Sequence, residues 1–525
     1  MERRTLNDDN VASARGQARP ILHRQQGALL LVAVVSMFVI SSLTLGLLMV
    51  TCNAIYLNNR QQRSASAFNI AESGAEMAAL WLQSQPYPPP YLTEFDPFGG
   101  PQTLEDGSYS VTIYPGPDNS TSFLKLFRIV SRGTVGGATK TVEVVVRQAS
   151  FGRYAYFTHK ETSSISGGAI WWKAGEVVDG PVHSNNADGS SFNINYNGST
   201  APIFLDMVTG AGSWINYSPS RPRDEETFRR IFADGSKGFR LGVAPIELPA
   251  SSDVQKNAAW GSPAGFPSSS GVYLRSDVNG GIYICGDAGV KLALDGSGNQ
   301  KIVVTQGSDV TTITINKATG FTTVTGPVGP GSPTSSPTRP NGVVYCTGNI
   351  TSLEGEVADN YVVDGVVMAR SEMTIANDVG AGKYIRITDN LFYHTRPDKT
   401  LDPDAYVNLA AGTLGLVSKD IRIASTAPKD LEIDAVCLAG GQNTASGSFY
   451  VENYDSKKPT GTLTVLGGII QRARGPVGTF NSSTGQTLAG YSKNYKYDPR
   501  LGQHPPPFYP TTGRYERLSW RVLPD

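Results

Sequence analysis

"HRQQGALLLVAVVSMFVISSLTLGLLMVTCNAIYLNNR", residues 23–60, is the stretch on which the reading of this chain turns. A lone Gly27 separates a basic, glutamine-rich lead-in from a long apolar run. From Ala28 to Cys52 about 25 residues pass without a charge, and a helix needs roughly 20 to span hydrocarbon. A cleavable secretory signal has an apolar region of only about 7–15 residues and ends in a small-x-small site. This run is longer, and no such site follows it. It therefore reads as a single-pass helix in the inner membrane, with membrane lipid as its first partner. Arg3, Arg4, Arg15, Arg19 and Arg24 precede it, against Glu2, Asp8 and Asp9. A basic flank stays in the cytoplasm, so the N-terminus is expected there and the remainder outside.

The helical pattern does not stop at the membrane face. In "NNRQQRSASAFNIAESGAEMAALWLQSQ" small or apolar residues recur at Ala67, Phe68, Ala71, Ala75, Ala78, Ala79 and Leu82. Those are i, i+3 and i+4 steps of one helix face. "PYPPP" at Pro86–Pro90 ends the pattern, because proline removes a donor and clashes with the preceding turn. A continuous helix over 28–85 would reach roughly 85 Å at 1.5 Å per residue. Its outer half must pack on a domain or on neighbouring helices.

The order Arg24-Gln25-Gln26-Gly27, then the apolar run, then Ala67-Phe68 and Ala71-Glu72 resembles the N-terminus of type IV pilin-like proteins. Within that family it is most similar to the PilX-type minor pilins. The resemblance implies that prepilin peptidase cuts after Gly27. Residues 1–27 would then be a cytoplasmic leader, and Ala28 a new, N-methylated terminus. It also implies that the helix packs with other pilins and minor pilins in a type IV pilus or pseudopilus. Such a chain ends at the cell surface or in the periplasm. The fifth mature position would be Val32, where major pilins usually carry Glu to neutralise a neighbour's terminal amine. A buried unpaired charge is costly, so Val32 points to a minor, tip-proximal or initiating subunit and not to the fibre body.

Composition narrows the rest. Lys+Arg and Asp+Glu balance at 45 each, which gives no sign of a nucleic-acid partner. The 57 glycines and 33 prolines call for many turns and short elements, a mainly β composition. His23, His159, His183, His394 and His504 show no metal-ligand spacing, and four cysteines are too few and too scattered for a zinc site. No metal or cofactor is expected.

Residues 91–150, with "GSYSVTIYPG" and "FLKLFRIVSRGTVGGATKTVEVVVRQ", alternate like a small sheet packed on the helix. From Phe151 to Asp525 short apolar strands recur, among them "GGIYICGD", "KIVVTQ", "TTITIN", "GVVYCTGN", "LGLVSKDIRIAS", "DLEIDAVCLAG" and "TLTVLGGIIQ". This favours an exported β-solenoid resembling a parallel β-helix, with a β-sandwich as the competing architecture. "RDEETFRRIFADG" at Arg223–Gly235 reads as a short helix, and Gly326–Pro340 as an exposed loop. "VVDGPVHSNN", "LGLVSKDIRI", "LEIDAVCLA" and the segment Gly467–Pro510 resemble the larger domain that accompanies some PilX-type N-termini. The resemblance brings no catalytic residues with it.

"GIYICGD" (Gly281–Asp287) aligns with "GVVYCTGN" (Gly342–Asn349) if one extra residue is allowed. Cys285 and Cys346 then share a slot on adjacent rungs. In an oxidising compartment a disulfide between them is possible; the plainer reading is that both are small buried hydrophobes. Cys437 reads as core.

Asp179, His183, Ser184 and Asn185 are parts from which an acid–base site could be built. With no G-x-S-x-G elbow and no paired carboxylate, a hydrogen-bonded turn ordering the first rung is the plainer reading. Asp389, Asp398, Asp402 and Asp404 crowd "TDNLFYHTRPDKTLDPDAY", residues 388–406. Sugar-cleaving enzymes need paired carboxylates, and this raises an alternative: a membrane-anchored carbohydrate-active enzyme. The prolines around these aspartates favour a surface or calcium-type loop instead. The aromatic tail Tyr491–Tyr509 is expected to cap an open end of the solenoid. The main expectation is a non-enzymatic minor pilin-like component presenting a large β domain for adhesion or assembly.

Overall fold

The computed structural model describes residues 22–524 apart from 86–90, 118, 120–122, 188, 190–191, 198–199, 381 and 403, with the backbone alone for 22–26. The N-terminal Arg3, Arg4, Arg15 and Arg19 and the Pro86–Pro90 stop lie outside the described residues.

One unbroken helix, α1, runs Leu22–Ser84. Its two halves meet different surroundings. Every residue from Gly27 to Arg63 is exposed, whereas Ala67, Ile70, Ala71, Gly74, Ala75, Ala78 and Leu82 are buried. The buried set keeps the helical period and includes Ile70 and Gly74, which the small-residue pattern alone passes over.

The C-terminal half lies on a five-stranded antiparallel sheet. Four strands follow the helix: β1 Gln102–Leu104, β2 Gly107–Pro115, β3 Leu126–Val135 and β4 Ala138–Ser150. The fifth is the C-terminal strand Thr511–Leu523, antiparallel to β4. The small sheet is thus not confined to 91–150. Val111, Ile113, Phe127, Ile129, Val142, Val144 and Val146 face the helix and close a separate core with Ile70, Ala71, Ala75, Ala78 and Leu82. The last strand is clamped by Arg147–Glu516 at 2.7 Å and Arg521–Glu143 at 2.7 Å, and its Trp520 meets Phe68 of α1 edge-on at 6.0 Å.

Beyond β4 the strands stack in parallel. One column of opposed residues reads Ile282, Val344, Ile375, Leu416, Cys437, Ile469, Tyr156, Val182, Val208. All nine are at most 3% exposed and belong to one core. Nine strands at about 4.8 Å spacing give a stack roughly 38 Å tall. The neighbouring column, Tyr283, Tyr345, Ala376, Val417, Leu438, Ile470, Phe157, points out of this core but is covered in turn by Phe151, Ile246, Leu248, Leu501 and Tyr509. Burial on both faces explains why "LGLVS" and "DAVCLA" read as continuous apolar runs and not as alternating strands.

The order of that column shows how the chain is threaded. It enters the stack in the middle, at Tyr156, and steps outward through Val182 and Val208. It then crosses to the opposite end and returns from Ile282 to Ile469, which pairs with Tyr156. Entry and exit both lie in mid-stack, so β4 leads in and Thr511–Leu523 leads out on the same small sheet.

Three expectations need correction. The tail is not an end cap: strand Thr487–Tyr497 lies between Gly461–Arg474 and Val177–Asp179 as an interior rung. "KIVVTQ" and "TTITIN" are not rungs either. They form an antiparallel hairpin, since Gly307 (φ 62°) permits the tight reversal from Gln306 to Asp309. The third concerns the cysteines. Their strands are adjacent and parallel, but Cys346 faces Ile284, not Cys285. Side chains alternate along a strand, so the two thiols point to opposite faces. Both are free. The repeat in fact aligns without a gap, pairing Tyr283 with Tyr345, whose rings stack at 5.8 Å.

Candidate functional site

The exposed half of α1, from Gly27 to Arg63, is about 55 Å long at 1.5 Å per residue. From Ala28 to Asn59 it carries no charge. Four of its hydroxyls are satisfied within the helix: Ser36 donates to the Val32 carbonyl at 2.7 Å, Ser42 to Val39 at 2.9 Å, Thr44 to Ile40 at 2.7 Å and Thr51 to Leu47 at 2.8 Å. A helix apolar on every side belongs in lipid or among other helices. Among the described residues α1 is the one helix long and apolar enough to cross a membrane.

Gly27 and Ala28 lie on this bare half, and Val32 is 61% exposed there. A Cβ on Gly27 would meet nothing within 4 Å. Glycine costs about 1 kcal/mol against alanine inside a helix, and packing within the chain gives no reason for it at this position.

His183 sits in the outer column, between Phe157 and Thr209. Its ring stacks on Phe157 at 5.1 Å and is 2% exposed. Asn185 holds the Ile246 backbone from both ends: its Oδ1 accepts from the Ile246 N–H at 2.8 Å and its Nδ2 donates to the Ile246 carbonyl at 2.6 Å. That fixes Oδ1 as the atom facing His183 Nε2 at 3.0 Å, so Nε2 carries the proton; Nδ1 lies 2.9 Å from Thr209 Oγ1, whose hydroxyl donates to the Val182 carbonyl at 2.9 Å. Asn185 Nδ2 also reaches His159 Nδ1 at 3.0 Å. Burial pushes His183 down to about 4, against the hydrogen bond it donates to Asn185. Among the described residues neither nitrogen of His183 meets a carboxylate. Ser184 Oγ accepts from the Asn186 N–H instead of approaching the imidazole. The arrangement orders a rung and pins residue 246; it does not activate a nucleophile. Asp179 lies elsewhere, in an ion pair with Lys399.

The aspartate-rich loop is a strap. His394 pairs with Glu356 at 2.7 Å, Thr395 with Asp359, and Arg396 with Asp434 at 2.9 Å and Glu432 at 2.6 Å, before Lys399 reaches Asp179. Asp434, Leu466, Lys496 and Asp179 are opposed residues on four adjacent strands, so the strap crosses the seam between the two halves of the stack. Asp398 caps Thr400, Asp402 accepts from the Asp404 N–H, and Asp389 accepts from the Asn390 N–H. Asp398 and Asp402 each close a turn, whereas Asp389 lies within the strand Tyr384–Tyr393. Among the described residues no group of three or more His, Cys, Asp or Glu is placed to hold a metal ion. Asp434 is pushed up to about 6 by burial, against the pull of Arg396, and is closed off beneath the strap.

Residues 123–213, which run from β3 across the junction into the first rungs, match the family model described as a domain of unknown function (DUF4900). No curated protein matches the sequence. Among solved structures, the crystal structure of competence-associated pilin ComZ from Thermus thermophilus aligns over 88% of this chain and 97% of that chain. The two are 13% identical with a TM-score of 0.28, too low to equate the folds.

Proposed function

We propose that this chain is a minor pilin-like component of a type IV pilus or related pseudopilus. It is anchored by α1, processed after Gly27, and placed at or near the tip or used in initiation. One observation carries this reading: a single unbroken helix is docked on a sheet along its C-terminal half and bare and apolar along its N-terminal half. Such a helix fits a subunit that waits in the inner membrane and then inserts among like helices. Gly27 supports it, since the cost of glycine there has no return in packing and a peptidase site supplies the missing reason. The mid-stack threading supports it too. Both chain ends of the β body run to the sheet under α1, so the body is carried by two connections and its two stack ends are left for adhesion or assembly contacts.

Mass spectrometry of the membrane-extracted protein tests the reading. The expected product begins at Ala28 and is N-methylated, and Gly27→Ala or a larger residue leaves the full-length precursor in the inner membrane. A native protein that retains residues before Ala28 would sink the proposal.

A further inference from the structure

Trp172 is fully buried, and five charged side chains gather near it. The Arg474 guanidinium lies 4.8 Å and the Lys493 ammonium 4.6 Å from its ring centre. Arg474 pairs with Glu161 at 3.2 Å, both fully buried, and Lys493 with Glu176 at 3.0 Å. Lys173 is the fifth. It is 5% exposed, yet among the described residues no carboxylate lies within ion-pair distance of it. The hydrogen bond its ammonium makes is a long one, 3.5 Å to the Ala174 carbonyl. Three cations therefore face two anions, and an unpaired buried charge is costly. The excess is felt by Lys493. Burial first, and then Arg474 and Lys173, push it down to about 8 in spite of Glu176.

Lys173, Glu176 and Lys493 open onto a cavity of about 250 Å³ that Tyr454, Phe480 and Tyr491 also line. The volume falls below the roughly 300–1,000 Å³ of pockets for drug-sized ligands, which suits an occupant of about one sugar unit. Aromatic walls suit a carbon frame, and the missing negative charge suits a carboxylate, which forms short charge-assisted hydrogen bonds with an ammonium. We infer that this cavity binds a compact carboxylate, of the size of a hexuronate sugar acid, with Lys173 as its ion-pair partner. The inference is independent of the pilin-like reading.

The test uses the full chain in detergent micelles, with thermal unfolding followed in sodium glucuronate, in glucose, and in sodium chloride at matched ionic strength. Saturating glucuronate is expected to raise the midpoint by about 2 °C through linkage, with no rise in glucose or chloride. Lys173→Met should lose the glucuronate response while unfolding at or above the wild-type midpoint without ligand, because an unpaired charge has been removed. Lys493→Met, which orphans Glu176, should instead unfold earlier. A wild-type midpoint that is the same in glucuronate and chloride would overturn the inference, as would an undiminished response in Lys173→Met. Should Lys173→Met fail to fold, calorimetric titration of the wild type with glucuronate decides: heat of binding against a flat glucose titration supports the site, and two flat titrations end it.

Discussion

Gly133 of β3 lies directly against the backbone of Ala67 in α1, so closely that a Cβ on Gly133 would overlap the Ala67 carbonyl oxygen and crowd the Ala71 nitrogen. One turn on, a Cβ on Gly74 would strike the Ser131 and Tyr109 side chains. The helix is held at this distance by small residues on both partners, and the obstruction at Gly133 is backbone, which cannot swing aside. Gly133→Val should therefore lift α1 off the sheet at a cost of about 3 kcal/mol, the upper range for overpacking. Limited proteolysis reads it out. The wild-type α1 should resist cleavage around residues 64–84, and the variant should be cut there first. Equal protection in both would contradict the packing described.

A pH dependence follows from His183. In the folded protein it is pushed down to about 4, from an ordinary 6.5. Between those values the unfolded chain binds more protons than the folded one. Stability then rises with pH across that window and is lost on acidification. From pH 7 to pH 4.5 the loss attributable to this residue is about 2–3 kcal/mol at 1.36 kcal/mol per unit. His183→Gln keeps a polar group facing Asn185 and removes the titration. Its unfolding midpoint should fall less than the wild-type midpoint over the same pH change, and parallel slopes would show that His183 is not the group responsible.

The strap gives a second, opposite pH signature. Asp434 is fully buried and pushed up to about 6. An acid whose folded value is raised contributes stability that is present below its unfolded value and lost as pH rises through the folded one. Above pH 6 the buried carboxylate relies on Arg396. Arg396→Ala should cost about 2–3 kcal/mol at pH 8, toward the low end for a broken buried pair because Arg396 is partly exposed and screened. At pH 5, where Asp434 carries a proton, the cost should largely disappear. Unfolding midpoints at the two pH values check this, and a cost independent of pH would mean that the strap acts through packing alone.

The long apolar helix, its amphipathic continuation and the β-rich body were legible because each rests on local pattern: an uncharged run, a 3.6-residue period, short apolar strands between glycines. What stayed hidden depends on distant pairing. No local feature places Ile469 beside Tyr156, or sends Thr511–Leu523 back to β4, and an aromatic tail looks the same whether it caps a stack or runs through it. The cysteine slot was misplaced by a single residue. Allowing a gap aligned Cys285 with Cys346, whereas the ungapped frame also matches Gly286 with Gly348 and Asp287 with Asn349, a signal present in the sequence. Because strand side chains alternate, that one-residue slip moved a thiol to the opposite face. The Lys173 cavity had no sequence signal, since its charges come from Lys173, Glu176 and Lys493 at the two ends of the β body.

The last prediction concerns Val32 and abundance. Helices bundled in a fibre core are desolvated, and a terminal amine buried there needs a carboxylate from its neighbour. Val32 offers none. A subunit lacking that partner is poorly suited to sit above every other copy of itself, but it can occupy one terminal position. Bulk argues the same way: about 440 residues follow α1, and a stack roughly 38 Å tall at 4.8 Å per strand leaves little room for close helical repetition. Purified fibres should hold this chain far below the level of the main subunit, as quantitative mass spectrometry of sheared fibres would show. Val32→Glu supplies the missing carboxylate and should raise incorporation along the fibre without raising expression. A fibre built chiefly from the wild-type chain would defeat the assignment, and unchanged fibre number in its absence would remove initiation from its role.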